Sequence, residues 1–270
     1  MTGVHHVWIN GLTGRMGQEI RQLIKQAPQR WKLMGGTALG QLSDYQGGHE
    51  DDSWNRLSQC LTSCELLIDF SAAPANRELY KALKDLPLKG LAILIGTTGL
   101  DSADTRLWTD LAKSRDLRLL RAPNTSLGVL LTLKIAQLTG QVLSPLGFDM
   151  EVFESHHRAK LDAPSGTAKF LAEGVAAVTG KQTIYGREGL RKANEIGVAS
   201  LRGGTVFGEH EIRYLGDHEE LTISHRALNR TLFAEGALHL ASWLLQQKPG
   251  QYRLEDIGIE DMVALLRPKA

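Results

Sequence analysis

Cysteine is scarce in this chain of 270 residues, which carries only Cys60 and Cys64. A secreted disulfide scaffold would need more, and a C-x3-C pair with no nearby histidine makes a poor zinc site. Both thiols therefore read as reduced structural side chains, in keeping with a reducing compartment. Charge of one sign is lacking too. Lys and Arg total 31 against 30 Asp and Glu, a formal net charge of +1. No field of one sign recruits nucleic acid or an anionic membrane, so neither is an expected partner, and an anionic ligand has to be met by local charge. The opening Met1-Thr2-Gly3-Val4-His5-His6 has no basic stretch leading into an apolar one, so a signal peptide is not expected. No apolar run approaches the ~18 residues that would span a bilayer. A cytoplasmic location is the default expectation.

What is present is the composition of an ordinary globular chain. Apolar residues make up 42% and charged residues 23%, with 28 glycines, values that exclude disordered and fibrous classes. In the first half, short apolar runs alternate with helical spacing. Val4 to Asn10 reads as a strand, and Met16, Ile20, Leu23 and Ile24 then mark one face of a helix. Trp31 to Thr37, Glu65 to Phe70, Leu91 to Ile95 and Leu117 to Arg121 read as further strands, with helices starting near Pro74 and Asp101. This alternation predicts a parallel sheet covered on both faces, a Rossmann-like α/β domain. After about residue 127 the texture changes. Leu127 to Leu143 is a long, weakly interrupted helix, Met150 to Glu154 a strand, and Thr167 to Val178 a helix that Gly180 ends. Gly197 to Leu201, Val206 to Tyr214 and Glu220 to Ala227 are strands between glycine-containing turns, and Thr231 to Gln247 is again helical. The strand-rich stretch predicts a second, α+β domain with an open mixed sheet. The acidic run Glu50-Asp51-Asp52 reads as a solvated loop.

Two segments carry chemistry. Gly11-Leu12-Thr13-Gly14-Arg15-Met16-Gly17 follows a strand and opens a helix. Glycines there permit a tight turn, close approach of a pyrophosphate and close packing of helix on sheet, and the helix start offers N–H groups to phosphate. The spacing is G-x-x-G-x-x-G, so a glycine turn that serves packing alone stays open as an alternative. The acid that usually lies about 20 residues on, against a ribose 2′-hydroxyl, is missing: the stretch reads Gly35-Gly36-Thr37-Ala38-Leu39-Gly40, and the first acid is Asp44. Its absence removes a charge that would repel a 2′-phosphate and leans the cofactor toward NADPH over NADH, although no Arg or Lys stands there either.

The second segment runs from Glu151 to Ala168. A strand delivers Glu154, His156 and His157 into a loop, Lys160 follows, and Pro164-Ser165-Gly166-Thr167 starts a helix with Ser165 as a suitable cap. An imidazole, a fixed cation and a helix start suit proton transfer to an anionic substrate. Taken singly, each residue has a plainer reading. A lone histidine is more often structural, Ser165 can be only a cap, Arg158 can be solvated, and adjacent histidines point to opposite faces, so no metal site is expected.

With these residues in view, the chain resembles the dihydrodipicolinate reductase family. The segment Glu151 to Ala168 fits the family pattern throughout. GLTGRMG at Gly11 to Gly17, IDFS at Ile68 to Ser71, IGTTG at Ile95 to Gly99, APNTSLGV at Ala122 to Val129, REG at Arg187 to Gly189, GEHE at Gly208 to Glu211 and NRTLFAEGA at Asn229 to Ala237 follow in the expected order. The resemblance implies a discontinuous dinucleotide domain, residues 1–126 and 230–270, and a substrate-binding and tetramerisation domain, residues 127–229. It implies a homotetramer, a small dicarboxylate substrate, and hydride transfer from NAD(P)H to 4-hydroxy-tetrahydrodipicolinate with loss of water, in lysine biosynthesis via diaminopimelate. His156 matches the proton donor and Lys160 the lysine that holds substrate and assists catalysis. His157, Ser165, Gly166 and Thr167 match the substrate-binding stretch. Gly11, Gly14, Arg15 and Met16 match the cofactor loop, Gly96, Thr98, Ala122 and Asn124 the segments that flank the nicotinamide, and Arg230 and Phe233 a stretch that reaches the cofactor near a hinge. Thr125 departs from the family, standing where many members carry Phe. Another nicotinamide-dependent amino- or imino-acid dehydrogenase of the same plan, or a non-enzymatic dinucleotide sensor, would share the fold; the intact loop with both His156 and Lys160 speaks against each.

Overall fold

The computed structural model describes residues 3–38, 41–43 and 61–266. Cys60, Asp44 and the acidic run at 50–52 lie outside the described residues. The chain divides into two compact units, one of Met1–Ser126 with Thr231–Ala270 and one of Leu127–Arg230. Arg230, placed by its sequence with the returning segment, is instead the last residue of the second unit.

The first unit is built on a sheet of seven strands. These are β1 (His5–Asn10), β2 (Trp31–Ala38), β3 (Gln41–Ser43), β4 (Leu66–Asp69), β5 (Ala92–Ile95), β6 (Arg118–Arg121) and β12 (Gly250–Arg253), in the order β12-β6-β5-β4-β1-β2-β3. All pairings are parallel except the short antiparallel hook of β3 on β2. Strands covered on both faces need apolar side chains throughout, and β4 and β5 have every residue buried. Helices α1 (Arg15–Gln26), α2 (Ala73–Leu83), α3 (Ser102–Ser114), α6 (Thr231–Leu244) and α7 (Ile259–Leu266) belong to this unit. Trp8, Leu67, Ile93 and Leu119 of the sheet pack with Leu79 and Leu83 of α2 and Trp108 and Leu111 of α3. Each such side chain contributes about 1.5–3 kcal/mol by leaving water. The start of α3 is fixed by a capping box, in which Asp101 accepts from the Asp104 N–H at 2.9 Å and Asp104 accepts from the Asp101 N–H at 3.1 Å.

Strand order reverses between β1 and β4, and the ends of these strands meet in a buried polar knot. Asp69, the last residue of β4, is fully buried. Its carboxylate accepts from Asn10 Nδ2 at 2.7 Å and Ser71 Oγ at 2.6 Å on one oxygen, and from Asn76 Nδ2 at 2.6 Å and Thr97 Oγ1 at 2.7 Å on the other. Trp108 Nε1 in turn donates to Asn76 at 2.8 Å. A carboxylate removed from water is tolerable only when its lone pairs are filled in this way. The knot ties the ends of β1, β4 and β5 to α2 and α3 at the edge where open α/β sheets bind their ligands.

The second unit contains a five-stranded mixed sheet of order β11-β10-β7-β9-β8. The strands are β7 (Asp149–His156), β8 (Gln182–Tyr185), β9 (Glu195–Arg202), β10 (Gly208–Leu215) and β11 (Glu220–Ala227), with helices α4 (Leu127–Leu143) and α5 (Gly166–Thr179). Met150 and Val152 of β7, Ile196 and Val198 of β9, and Ile212 and Tyr214 of β10 face Leu133, Leu171 and Val175 of the helices. On the other face Arg187 pairs with Glu151 at 2.7 Å and Arg226 with Glu209 at 2.7 Å. The stretch Leu127–Leu146 is, by length and composition alone, long and apolar enough to cross a membrane, although scattered polar residues interrupt every apolar run in it. In the fold one face of it packs into this unit, where Val129, Leu130, Leu133 and Ala136 are buried and Gln137 donates to the Gly174 carbonyl of α5 at 3.0 Å, while Leu131, Ile135, Leu138 and Val142 are exposed.

Strands β3, β8 and β12 have no counterpart in the sequence-based expectations; they are as short as β4 and β5 but lack the continuous apolar run that marks those two. Asp69→Ala leaves four side-chain donors facing an apolar group, and urea unfolding of that variant is expected to show a loss on the order of 3 kcal/mol. An unchanged midpoint would refute the role given to the knot.

Candidate active site

The glycine loop of the first unit runs from the end of β1 into α1. Gly11 has φ +85°, and a Cβ there would come within 2.6 Å of the Phe70 carbonyl oxygen, so the turn requires glycine. A Cβ on Gly17 would overlap the Gly11 carbonyl, which is why the helix can lie so close to the loop. Gly14 is the N-cap of α1 and supplies no side-chain hydrogen bond, and the first turn holds no acid. The helix start is thus left with N–H donors and its partial positive charge for an external anion. Arg15 is exposed and Met16 half-buried beside it. Gly96 follows β5, where any Cβ would overlap the Phe70 ring. Ala122 is buried, Thr98 is exposed, and Asn124 is half-buried with its Oδ1 accepting from the Ser126 N–H at 2.9 Å. Thr125 spends its hydroxyl on the Phe233 carbonyl at 2.6 Å, so the polar side chain at this departure from the family ties the β6 loop to α6. The described end of β2 carries Gly35, Gly36 and Thr37 and no carboxylate.

In the second unit the remaining groups gather at the end of β7. Its residues alternate, so Met150, Val152, Glu154 and His156 share one face. The apolar run on that face is continued by a carboxylate, then an imidazole. Glu154 is fully buried and His156 is 8% exposed. Glu154 Oε2 meets His156 Nδ1 in a short hydrogen bond. Glu154 Oε1 accepts from Arg202 Nη2 at 2.7 Å and from the Ser165 N–H at 3.2 Å. Burial alone would raise this carboxyl; hydrogen bonds from Arg202, Ser200 and His156 outweigh it and bring the pKa down to about 2. For His156 burial wins, pushing the imidazole below its ordinary value while Glu154 pulls it back part of the way.

His210 stands opposite Glu154 on β10. Its ring meets that of His156 edge-on at 5.1 Å, and its Nε2 lies 3.2 Å from Ser165 Oγ, which also accepts from the Ala168 N–H at 3.1 Å. Burial, assisted by the like charge of His156, pushes His210 down to about 3. Ser165 caps α5, and a Cβ on Gly166 would meet open space, so the first turn is uncovered at that point. Lys160 Nζ is 2.8 Å from Asp162 Oδ1. His157 follows β7 and is half-buried, as is Thr167 in the first turn of α5. The structure therefore brings His156, Lys160 and Ser165 into one loop-and-strand end. Arg230 lies 5.9 Å from the Phe207 ring in the same unit.

Glu154, Arg202 and His210 are part of this cluster and were not among the expected site residues. Glu154 and His210 had a signal in the sequence: each sits in the buried phase of an alternating strand, where an apolar residue belongs. Arg202 had none. Ligand atoms of Glu154, His156 and His210 lie within 4.8 Å of one another, a spacing a metal ion could use. Arg202 already neutralises that carboxylate, which opposes a second cation.

Reversal of strand order beside an uncapped helix start marks the dinucleotide-binding α/β proteins, and here that fold is continuous in sequence with a separate α+β unit bearing acid–base groups. The chain thus falls in the class of two-unit, dinucleotide-dependent oxidoreductases. The family described as dihydrodipicolinate reductase, N-terminus, matches residues 5–125, and dihydrodipicolinate reductase, C-terminus, matches residues 128–257. The 4-hydroxy-tetrahydrodipicolinate reductase of Aquifex aeolicus strain VF5 is 36% identical over 263 residues, covering 93% of this chain and 97% of that protein. That of Myxococcus xanthus strain DK1622 is 37% identical over 267 residues, covering 92% and 96%. The chain belongs to the dihydrodipicolinate reductase family. Among solved structures, a dipicolinate-bound dihydrodipicolinate reductase from Paenisporosarcina sp. TG-14 has a TM-score of 0.72 at 24% identity, covering 94% of this chain and all of that one. C. glutamicum DAP dehydrogenase has a TM-score of 0.57 at 10% identity, covering 100% and 97%, and shares the fold.

The lowered groups set the acid stability of the second unit. A group whose folded pKa is depressed takes up its proton first in the unfolded chain, so its contribution is lost as pH falls. For His210 the loss runs from its ordinary 6.5 down to about 3, and for Glu154 from 4.5 down to about 2. His156 and His225 are lowered as well and act in the same sense. The urea midpoint is therefore expected to fall from pH 6.5 downward, and to fall less in His210→Gln. A flat profile between 6.5 and 4.5 would contradict this.

Proposed function

We infer that the chain is a 4-hydroxy-tetrahydrodipicolinate reductase: a hydride and a proton enter the substrate ring and one water leaves. The observation that carries this is the end of β7, where an imidazole backed by a buried carboxylate stands in the same loop as Lys160 and the capped start of α5. The substrate is a dianion and the chain is nearly neutral, so binding relies on local potential. Lys160 supplies an ammonium. Gly166 and Thr167 at the start of α5, with Ser165 holding that start in place, supply N–H and hydroxyl donors to a carboxylate. Asp162 now pairs with Lys160, and a substrate carboxylate competes with it for that ammonium. His156 gives a proton to the atom left electron-rich by reduction, and His157 adds a polar contact.

The residues present fit a nicotinamide dinucleotide. Gly11, Gly14, Arg15 and Met16 would hold the pyrophosphate, since the turn has no room for a Cβ at Gly11 and the helix start carries no cap of its own. Gly96, Thr98, Ala122 and Asn124 would flank the nicotinamide, with Arg230 and Phe233 contributing from the segment where the chain returns to the first unit. When bound, the cofactor supplies the hydride, and the protein supplies alignment. The absence of a carboxylate on the described end of β2 supports NADPH over NADH. Assembly into a homotetramer would use the face of the second sheet that α4 and α5 leave uncovered, and reduced cysteine use supports a cytoplasmic setting.

Turnover of enzymatically generated substrate, followed by loss of reduced-cofactor absorbance with NADPH and NADH in separate assays, tests this reading. His156→Gln is expected to lower kcat roughly 100-fold, the scale of a lost general acid, with modest change in KM. Lys160→Ala is expected to raise KM and lower kcat while cofactor affinity stays near that of the wild type. Wild-type turnover in His156→Gln would remove the histidine from its role, and a large loss of cofactor affinity in Lys160→Ala would misplace the lysine.

A further inference from the structure

An imidazole that gives up a proton must present the right nitrogen. His156 has both of its nitrogens constrained. Nδ1 is engaged by Glu154 Oε2. Nε2 is turned toward Gly208, where an added Cβ would lie 3.0 Å from it and 3.4 Å from Cδ2. The carboxylate cannot swing away, because its other oxygen is held by Arg202 at 2.7 Å and by the Ser165 N–H at 3.2 Å. Arg202 is the cross-strand neighbour of His156 on β9, so the guanidinium neutralises Glu154 from the side opposite His210 on β10. The His210 ring packs edge-on against the imidazole and closes that flank.

We propose that Glu154, fixed by Arg202, is the positioning residue of the reaction: it holds the Nδ1–H of His156, so that Nε2 is the nitrogen from which the proton leaves. This rests on the reading of His156 as proton donor. In the step itself the Nε2–H bond breaks and the proton goes to the substrate. The ring becomes neutral and keeps Nδ1–H on Glu154, and a proton from solvent restores the Nε2–H. Gly208 keeps the space beside Nε2 clear.

Charged or titratable groups facing His156 are Glu154 on its own strand, Arg202 from β9, His210 from β10 and Lys160 from the loop. Of these only Glu154 favours the imidazolium. Replacing it by an amide of the same shape therefore shifts the falling limb of the kcat/KM profile to lower pH. Glu154→Gln is expected to lower kcat roughly 10- to 1,000-fold with KM for substrate within about threefold. In a His156→Gln background the same substitution is expected to cost nothing further, because a residue that acts through the imidazole has nothing left to act on. Equal losses in both backgrounds, or an unmoved pH limb, would overturn the proposal. Wild-type turnover in His156→Gln alone would instead remove the proton-donor reading beneath it. Nitrogen-15 shifts of His156 in the unaltered protein decide the matter even if Glu154→Gln does not fold: a neutral ring protonated on Nδ1 is expected, and one protonated on Nε2 with Nδ1 bare overturns the assignment.

Discussion

A carboxylate taken fully out of water has to be surrounded by donors, and both units of this protein are organised around one such group. Asp69 gathers neutral donors from Asn10, Ser71, Asn76 and Thr97, and in doing so fixes the strand ends on which the glycine loop stands. Glu154 gathers a guanidinium, an imidazole and a backbone N–H, and in doing so fixes the loop that carries the proposed chemistry. Apolar burial supplies the greater part of the folding free energy but is non-directional. The two carboxylates supply direction, because a hydrogen bond missed by an ångström leaves a buried polar group unsatisfied.

The difference between the two knots follows from what each has to do. Around Asp69 the described side-chain partners are uncharged. Around Glu154 two of the partners, Arg202 and His156, are ionisable. Arg202 keeps the carboxylate charged, and the carboxylate offsets part of the burial that depresses His156. With a net charge of +1 the chain has no long-range field to draw in a dianion. In the proposed reading, Lys160 and the start of α5 provide that attraction within a few residues of the imidazole, where reduced screening makes each charge count for more.

Much of this was legible in the sequence. The strand–helix alternation of the first unit, the glycine loop, the long helix at Leu127–Leu143 and the cap at Ser165 each depend on residues a few positions apart. The segment from Glu151 to Ala168 was legible for the same reason: its imidazole, ammonium and helix start are local to one another. Even the unusual carboxylate of Glu154 could be noticed, since alternation puts it in phase with Met150 and Val152. The short strands β3, β8 and β12, which carry no continuous apolar run, left no such trace.

By itself, then, the sequence determined which groups the loop offers and where the helices that frame it begin, because helix caps, turns and alternation are set by neighbours along the chain. Only the tertiary structure decided which nitrogen of His156 is engaged, that Arg202 from 48 positions away neutralises Glu154, and that His210 stands 45 positions from the Ser165 hydroxyl it meets. Those pairings come from strand register, and register is fixed by the packing of the whole sheet face rather than by the residues that end up in contact.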